Sequence, residues 1–178
     1  MVGVLVLAAA MAAAADPPAL HLESWRLRSG AVFVGTVTGV QRLGALDGLT
    51  AETQGRMEAT VTIDKVLRAP AGAAPAPAEV VVKFDSRAPE PEGDGFFSLG
   101  AGERVLVFAD GFEPAYPREL FHGAPKDLIA AVKALRDFVA TMDAPTTALH
   151  GLTPATRASQ VKLYDEALGL LAKAGSAR

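Results

Sequence analysis

Three histidines, His21, His122 and His150, are the first side chains to weigh as bases or metal ligands. None has a second histidine or a carboxylate at a close metal-ligand spacing, and the chain has no cysteine to supply a thiolate. We therefore expect no metal site and no cofactor, and we expect the histidines to be exposed or hydrogen-bonded in the core. His122 is the best exception, because it follows the last predicted strand, where the rim of a barrel often holds ligands.

Nucleophilic catalysis has little support in the residue pattern. Without cysteine, thiol nucleophiles and disulfide exchange are excluded. No serine lies in a G-x-S-x-G pattern or beside a residue that marks a base. Because triads also assemble from distant residues, a hydrolase with a site built around His122 and an acidic loop stays open as an alternative. The sequence nevertheless predicts that the protein is not an enzyme.

A loop rich in proline and glycine, residues 85–102, is the best candidate for binding a partner. Its carboxylates offer oxygen ligands for calcium, although their spacing is not that of an EF-hand, and a solvated acidic loop is the simpler interpretation. Two adjacent phenylalanines in the loop suit either a partner's pocket or a plug folded over the mouth of a barrel. The candidate interaction residues are the acids and aromatics of this loop and one histidine: Asp85, Glu90, Glu92, Asp94, Phe96, Phe97 and His122.

Short β-branched and aromatic runs in the middle of the chain predict five strands separated by loops rich in Gly, Pro and Asp. In residues 57–67 apolar and polar side chains alternate, so one face is buried and the other faces water. Gly35 and Gly39 lie where the first strand can bulge or bend. Residues 80–84 and 104–108 are apolar on both faces, which indicates strands covered on both sides. No crossover helix is predicted between the strands, so we expect antiparallel pairing.

After Gly123 the apolar period changes from two to about 3.6, which predicts helices. Pro125 suits the first turn of one helix, and Thr153 with Pro154 marks the start of another. Their apolar stripes, expected to pack on the barrel or on each other, are Leu128, Val132, Leu135, Val139 and Met142, then Val161, Tyr164, Leu168 and Leu171. We therefore expect a mainly β fold with C-terminal α: a five-stranded antiparallel OB-like Greek-key barrel over residues 20–123, then two amphipathic helices over residues 124–175.

Three of these strands carry a family resemblance. The runs AVFVGTV from Ala31, ATVTIDKVLR from Ala59 and GERVLVF from Gly102 resemble bacterial proteins similar to the netrin and tissue-inhibitor-of-metalloproteinase domain (NTR-like), over residues 28–123. The resemblance implies an OB-type barrel. Inhibitors of that family chelate the target's zinc through an N-terminal cysteine, and disulfide bonds cross-link their barrel. Because this chain has no cysteine, the resemblance implies the fold without that mechanism, and an inhibitor with another chelating group is a further alternative.

Residues 1–15 are predicted to be a cleaved signal peptide, since they carry no charged side chain and end in three alanines before Asp16. The apolar run is shorter than the roughly 20 residues that span a bilayer, so we expect no permanent membrane anchor. No lysine or arginine precedes it, which is atypical of a signal peptide and leaves a true start codon upstream of Met1 as an open alternative. We expect a periplasmic or extracellular protein.

A formal net charge of −3 leaves no basic field to attract a phosphate backbone, so nucleic acid is not an expected partner. The barrel, the long loops and the missing catalytic pattern together predict an exported, non-catalytic binding or protein-interaction module. Its partner is expected to be a protein in the cell envelope or outside the cell, and its ligand is left open.

Overall fold

The computed structural model describes residues 29–44, 54–72, 74–87, 98–115 and 117–175 of the chain. The described elements are strands and helices in the order β1 (Ala31–Gly44), β2 (Gln54–Arg68), β3 (Glu79–Arg87), β4 (Arg104–Ala109), β5 (Pro117–Phe121), α1 (Pro125–Thr141), α2 (Ala144–Leu149) and α3 (Pro154–Gly175). The strands form one sheet in the order β3-β2-β1-β4-β5, and each neighbouring pair is antiparallel. The predicted five-stranded antiparallel sheet with C-terminal helices is therefore confirmed, whereas the predicted signal peptide lies outside the described residues.

The two edges of the sheet meet at one described point. Ala115 forms an isolated parallel bridge with Val82: its N–H donates to the Val81 carbonyl and its carbonyl accepts from the Lys83 N–H, each at 2.9 Å. The next N–H directed at β3 would belong to Pro117, which has none, so pairing does not continue. In the described part of the chain β3 and β5 share no ladder, and the expected closed barrel is corrected to an open sheet.

Strand β1 is irregular where its glycines lie. Its register with β2 shifts between Val34 and Gly35 and again between Val37 and Gly39, which confirms the expected bulges. A Cβ added at Gly35 would lie 2.6 Å from the Thr62 carbonyl oxygen. The first glycine is therefore required by a close approach of the β2 backbone.

Both faces of the central strands are buried. Because successive side chains in a strand point to opposite faces, β1 and β4 each contribute to two cores. The outer core joins the helices to the sheet through Val32, Val34, Leu106, Phe108, Leu128, Val132, Leu135, Val139, Leu163, Tyr164, Ala167 and Leu171. The inner core lies on the other face of the sheet and includes Phe33, Val37, Ala59, Val61, Val82, Phe84, Val105, Val107 and Leu120.

Two strand and helix expectations need correction. Coverage on both faces holds for β4 but fails for β3, where Val81 is 39% exposed. The reason is position, since the helices cover β1 and β4 while β3 is an edge strand beyond β2. The short helix α2 was not expected, and it begins where the Asp143 carboxylate caps it by accepting the Thr146 N–H at 2.8 Å.

The long helices start as the sequence predicts and pack on each other. Pro125 and Pro154 open α1 and α3, in keeping with the preference of proline for the first helical turn. Arg136 Nε of α1 donates to Asp165 Oδ1 of α3 at 2.9 Å, which links the exposed sides of the pair. No helix among the described residues combines the length and apolar content needed to cross a membrane.

Candidate functional site

Two of the predicted interaction residues lie in the described part of the chain, and they are far apart. Asp85 lies on β3, at a cavity that also reaches Pro117. His122 follows the last residue of β5, while Pro117 is the first residue of that strand. At about 3.3 Å per residue, the length of β5 separates Pro117 from His122 by roughly 16 Å. The other candidates, Glu90, Glu92, Asp94, Phe96 and Phe97, fall outside the described residues.

A cavity of about 540 Å³ opens where the end of β1, the beginning of β2, the second half of β3 and the start of β5 come together. Its volume falls in the range of sites that hold small organic ligands, about 300–1,000 Å³. The lining combines four apolar and three charged side chains: Leu43, Met57, Phe84 and Pro117, and Arg56, Lys83 and Asp85. A mixed lining of this kind can bury the apolar part of a ligand and orient its polar groups.

The pleat of β2 and β3 separates the two kinds of lining. Met57 and Phe84 are register partners, and both belong to or pack against the inner core, so they form an apolar wall. Arg56, Lys83 and Asp85 are their neighbours along the strands and lie on the opposite side of the pleat. Charged groups therefore border an apolar surface that is already fixed by core packing.

A fixed carboxylate accompanies the lysine of this cavity. Glu58 Oε1 lies 3.1 Å from Lys83 Nζ, and Glu58 Oε2 accepts a hydrogen bond from Gln41 Nε2 at 2.9 Å. The Gln41 hydrogen bond and then the contact with Lys83 hold the pKa of the Glu58 carboxyl below its usual value. The ammonium of Lys83 is thus held in place by a charged partner.

Close packing of β1 against β2 shapes the rim beside Leu43. A Cβ at the buried Gly55 would lie 2.6 Å from Arg42 Nε and 2.8 Å from the Gly44 carbonyl oxygen. Glycine at this position lets the β1 backbone and the Arg42 side chain lie over β2. Leu43 remains 52% exposed at the mouth of the cavity.

His122 occupies a separate polar site. Its Nδ1 lies 3.0 Å from Glu103 Oε2, with the two side chains 13% and 32% exposed. Glu103 follows Gly102, whose φ of +89° and N–H bond to the Val37 carbonyl, at 2.7 Å, fix the turn before β4. A carboxylate that orients an imidazole is one part of the apparatus of many hydrolases.

A buried polar network joins the end of β2 to α3, and no pattern in the sequence predicted it. Arg68 donates to Gln160 Oε1 at 2.9 Å, and Gln160 Nε2 donates to the Tyr164 hydroxyl at 3.0 Å. Burial lowers the pKa of the Arg68 guanidinium. Gln160 is polar and lies outside the apolar stripe predicted for α3, yet it is buried. The network fixes α3 against the sheet.

Within the described residues, no group of three or more histidine, cysteine or acidic side chains is placed to hold a metal ion. Comparison of the chain with protein-family models, with curated proteins and with solved structures found no match. Function is therefore inferred from the cavity and from the polar pairs around it.

Proposed function

We propose that the protein is a non-catalytic binding module that takes its ligand in the cavity beside β2 and β3. The observation that carries this proposal is the cavity itself, about 540 Å³ in volume, with an apolar wall and three charged side chains at its margin. Asp85, one of the interaction residues expected from the sequence, belongs to it. A site on a sheet held by cores on both faces can bind without large rearrangement.

The proposal includes an OB-like fold related to NTR-like domains. The strand order β3-β2-β1-β4-β5 supports it, as does the parallel bridge that brings Ala115 to β3. OB-folds are five-stranded Greek-key barrels that are partly open and that bind ligands on the sheet and its loops. The open edge between β3 and β5 is compatible with that description.

Export to the periplasm or the cell exterior is also part of the proposal. It is supported by the uncharged apolar run of residues 1–15 and its terminal alanines. Intact-mass measurement of protein from the native host is expected to give a chain that begins near Asp16. A mature chain that retains Met1 would contradict export by this route.

Ligand binding is tested with small-molecule probes and with a variant whose larger side chain fills the cavity from its exposed mouth. The probes are aromatic amphiphiles of neutral, anionic, cationic and zwitterionic type, titrated into isotope-labelled protein and followed by amide chemical shifts. We expect at least one type to give saturable shifts at Met57 and Phe84, and we expect Leu43→Trp to weaken that binding by about tenfold or more because the indole occupies the site.

The matched control is Leu149→Trp, which places the same indole at a residue that is 83% exposed on α2 and outside the cavity lining. This variant is expected to bind like the parent. No saturable shift with any probe type, or equal weakening in both variants, would overturn the proposal.

A hydrolase is the second candidate, favoured by the contact of His122 Nδ1 with Glu103 Oε2 at 3.0 Å. The pair could orient a base, and its distance along β5 from the cavity makes it a separate site. The two candidates therefore make independent predictions for variants at His122 and at Leu43.

A further inference from the structure

The edge of β3 that faces β5 carries unpaired backbone groups beyond the bridge with Ala115. On the β2 side, the Ala78 carbonyl accepts the Ile63 N–H at 2.8 Å, whereas on the opposite side the Lys83 N–H donates to the Ala115 carbonyl at 2.9 Å. Because successive residues of a strand direct their backbone groups to alternate sides, Asp85 directs its N–H and its carbonyl to the same side as Lys83. No described residue bonds to Asp85 there.

The cavity adjoins this edge and is lined by residues from both faces of β3. Phe84 belongs to the inner core, while Lys83 and Asp85 point to the opposite face, and Pro117 lines the cavity from β5. A ligand confined to one face of the sheet would contact only one of these sets. A strand laid along the edge contacts both, because its successive side chains point to alternate faces.

The topology of the sheet fixes the direction of such a strand. Four antiparallel steps lead from β3 to β5, so the two edge strands run parallel, in agreement with the parallel bridge of Val82 with Ala115. A strand that adds to β3 beyond this bridge and runs antiparallel to it is antiparallel to β5 as well. Antiparallel pairing is slightly more stable per residue, and Pro117 has no N–H to compete for β3. The open edge therefore favours an antiparallel addition.

The charges of the cavity indicate which side chain the added strand carries. Lys83 is held by Glu58 at 3.1 Å, and Arg56 has contacts of its own. The Asp85 carboxylate forms no hydrogen bond or ion pair with a described residue, so it is the lining charge that is left for a ligand. Directly opposed residues of antiparallel strands have Cβ atoms about 4.5–5.5 Å apart, so a lysine or arginine opposite Asp85 reaches its carboxylate.

Resting on the proposed function, we infer that the ligand is an extended segment of a partner protein that adds to the edge of β3 as an antiparallel strand. One residue of the segment exchanges two backbone hydrogen bonds with Asp85, and its basic side chain pairs with the Asp85 carboxylate. The residues on either side of it are apolar and point to the other face, towards the part of the cavity at Phe84. Main-chain hydrogen bonds supply affinity, and the side chains supply selectivity.

The probe is the peptide acetyl-Thr-Val-Lys-Val-Thr-amide, whose blocked ends carry no charge. It is titrated into isotope-labelled protein, and we expect saturable amide shifts centred on Asp85. Methylation of the lysine backbone nitrogen removes the N–H that bonds to Asp85 and is expected to weaken binding by about tenfold or more. Methylation of the next valine nitrogen, which points away from β3, is the matched control and is expected to leave the affinity unchanged.

A second comparison tests the charge opposite Asp85. A peptide with glutamine in place of the lysine is expected to bind the parent protein roughly fivefold more weakly. Asp85→Asn is expected to abolish this difference while keeping the penalty for methylation of the central residue. Glu166→Gln removes an exposed carboxylate of α3 outside the cavity and serves as the control, with all affinities unchanged.

The outcomes separate this inference from the proposed function. If no peptide shifts the amides of β3, or if the two methylated peptides bind equally, strand addition is wrong. If the glutamine peptide binds the parent as tightly as the lysine peptide, the basic residue opposite Asp85 is wrong. In each case the binding module is decided separately by the amphiphile titration and Leu43→Trp, which probe the filling of the cavity and not the backbone of β3.

Discussion

Gly35 of β1 lies so close to Thr62 of β2 that a Cβ at the glycine would sit 2.6 Å from the threonine carbonyl oxygen. The same Cβ would lie 2.6 Å from Val61 Cγ1 in the inner core. The bulge in β1 thus depends on the absence of a side chain, and it sets the register of Gly35, Thr36 and Val37 with β2 until the next shift, between Val37 and Gly39.

Gly35→Ala is therefore expected to destabilise the protein by about 1–3 kcal/mol, because the backbone of β2 must move to accommodate a methyl group. The free energy of unfolding from urea titration measures the effect. Gly39→Ala is the matched control on the same strand, since a Cβ there meets nothing within 4 Å. Equal stability of the two variants would show that the close approach at Gly35 is not a constraint.

Leu135 tests the outer core. It lies on α1, is 1% exposed and packs in the cluster that joins the helices to β1 and β4. Leu135→Asp is expected to cost several kcal/mol, on the order of 3 or more, because it buries an unpaired carboxylate. Ala134→Asp adds the same charge at an exposed neighbour and is expected to change little. Unchanged thermal melting of Leu135→Asp would refute the assigned helix face.

Strand positions and helix starts followed from local patterns, because β-branched alternation and proline near a helix N-terminus act within a few residues. The open sheet could not be predicted in this way. It arises because Pro117, which has no N–H, lies where the next hydrogen bond to β3 would form, and this position depends on the path of the whole chain. The cavity has the same origin: Arg56 and Asp85 are opposed only through the register of two strands joined by residues 69–78. Alternation in residues 57–67 did predict that Glu58 faces away from the core.

Helix α2 and the buried Gln160 escaped prediction for different reasons. A helix of six residues is too short to show an apolar period, and its cap by Asp143 was the available signal. Gln160 is polar, and its burial depends on the hydrogen bond from Arg68. The two residues meet only because the end of β2 packs against α3. Tertiary contact thus decided the burial of Gln160, whereas α2 rests on a local cap.

The cap of α2 has a pH dependence of known sign. Hydrogen bonds from Thr146, first its side chain and then its backbone N–H, hold the pKa of the Asp143 carboxyl below its usual value. The charged carboxylate therefore stabilises the fold at pH values above its usual pKa, and this contribution is lost as pH falls through the lowered, folded-state pKa. We expect Asp143→Ala to lower the unfolding free energy at pH 7 and to have a smaller effect in acid.

Asp143→Asn is the control for that experiment. The amide oxygen still accepts the Thr146 N–H, so most of the cap is kept, but the side chain no longer titrates. Unfolding free energies of the parent and both variants between pH 7 and pH 2 separate the two effects. If the difference in unfolding free energy between the asparagine and alanine variants shrinks in acid as much as the difference between the parent and the alanine variant, the assignment to the Asp143 charge is wrong.

The two candidate functions make opposite predictions at His122. If the protein is a binding module, a panel of ester, peptide and glycoside substrates is expected to show no turnover that His122→Ala removes. The Glu103 contact at 3.0 Å then has a structural role, connecting the end of β5 to the turn before β4.

Glu103→Gln and His150→Ala complete the test. The first replaces the carboxylate that orients the imidazole, and the second removes a histidine that lies against Phe138. Turnover that is lost in His122→Ala, reduced in Glu103→Gln and retained in His150→Ala would establish a hydrolase and overturn the non-catalytic proposal, because an imidazole acting as a base loses rate when its orienting carboxylate is replaced.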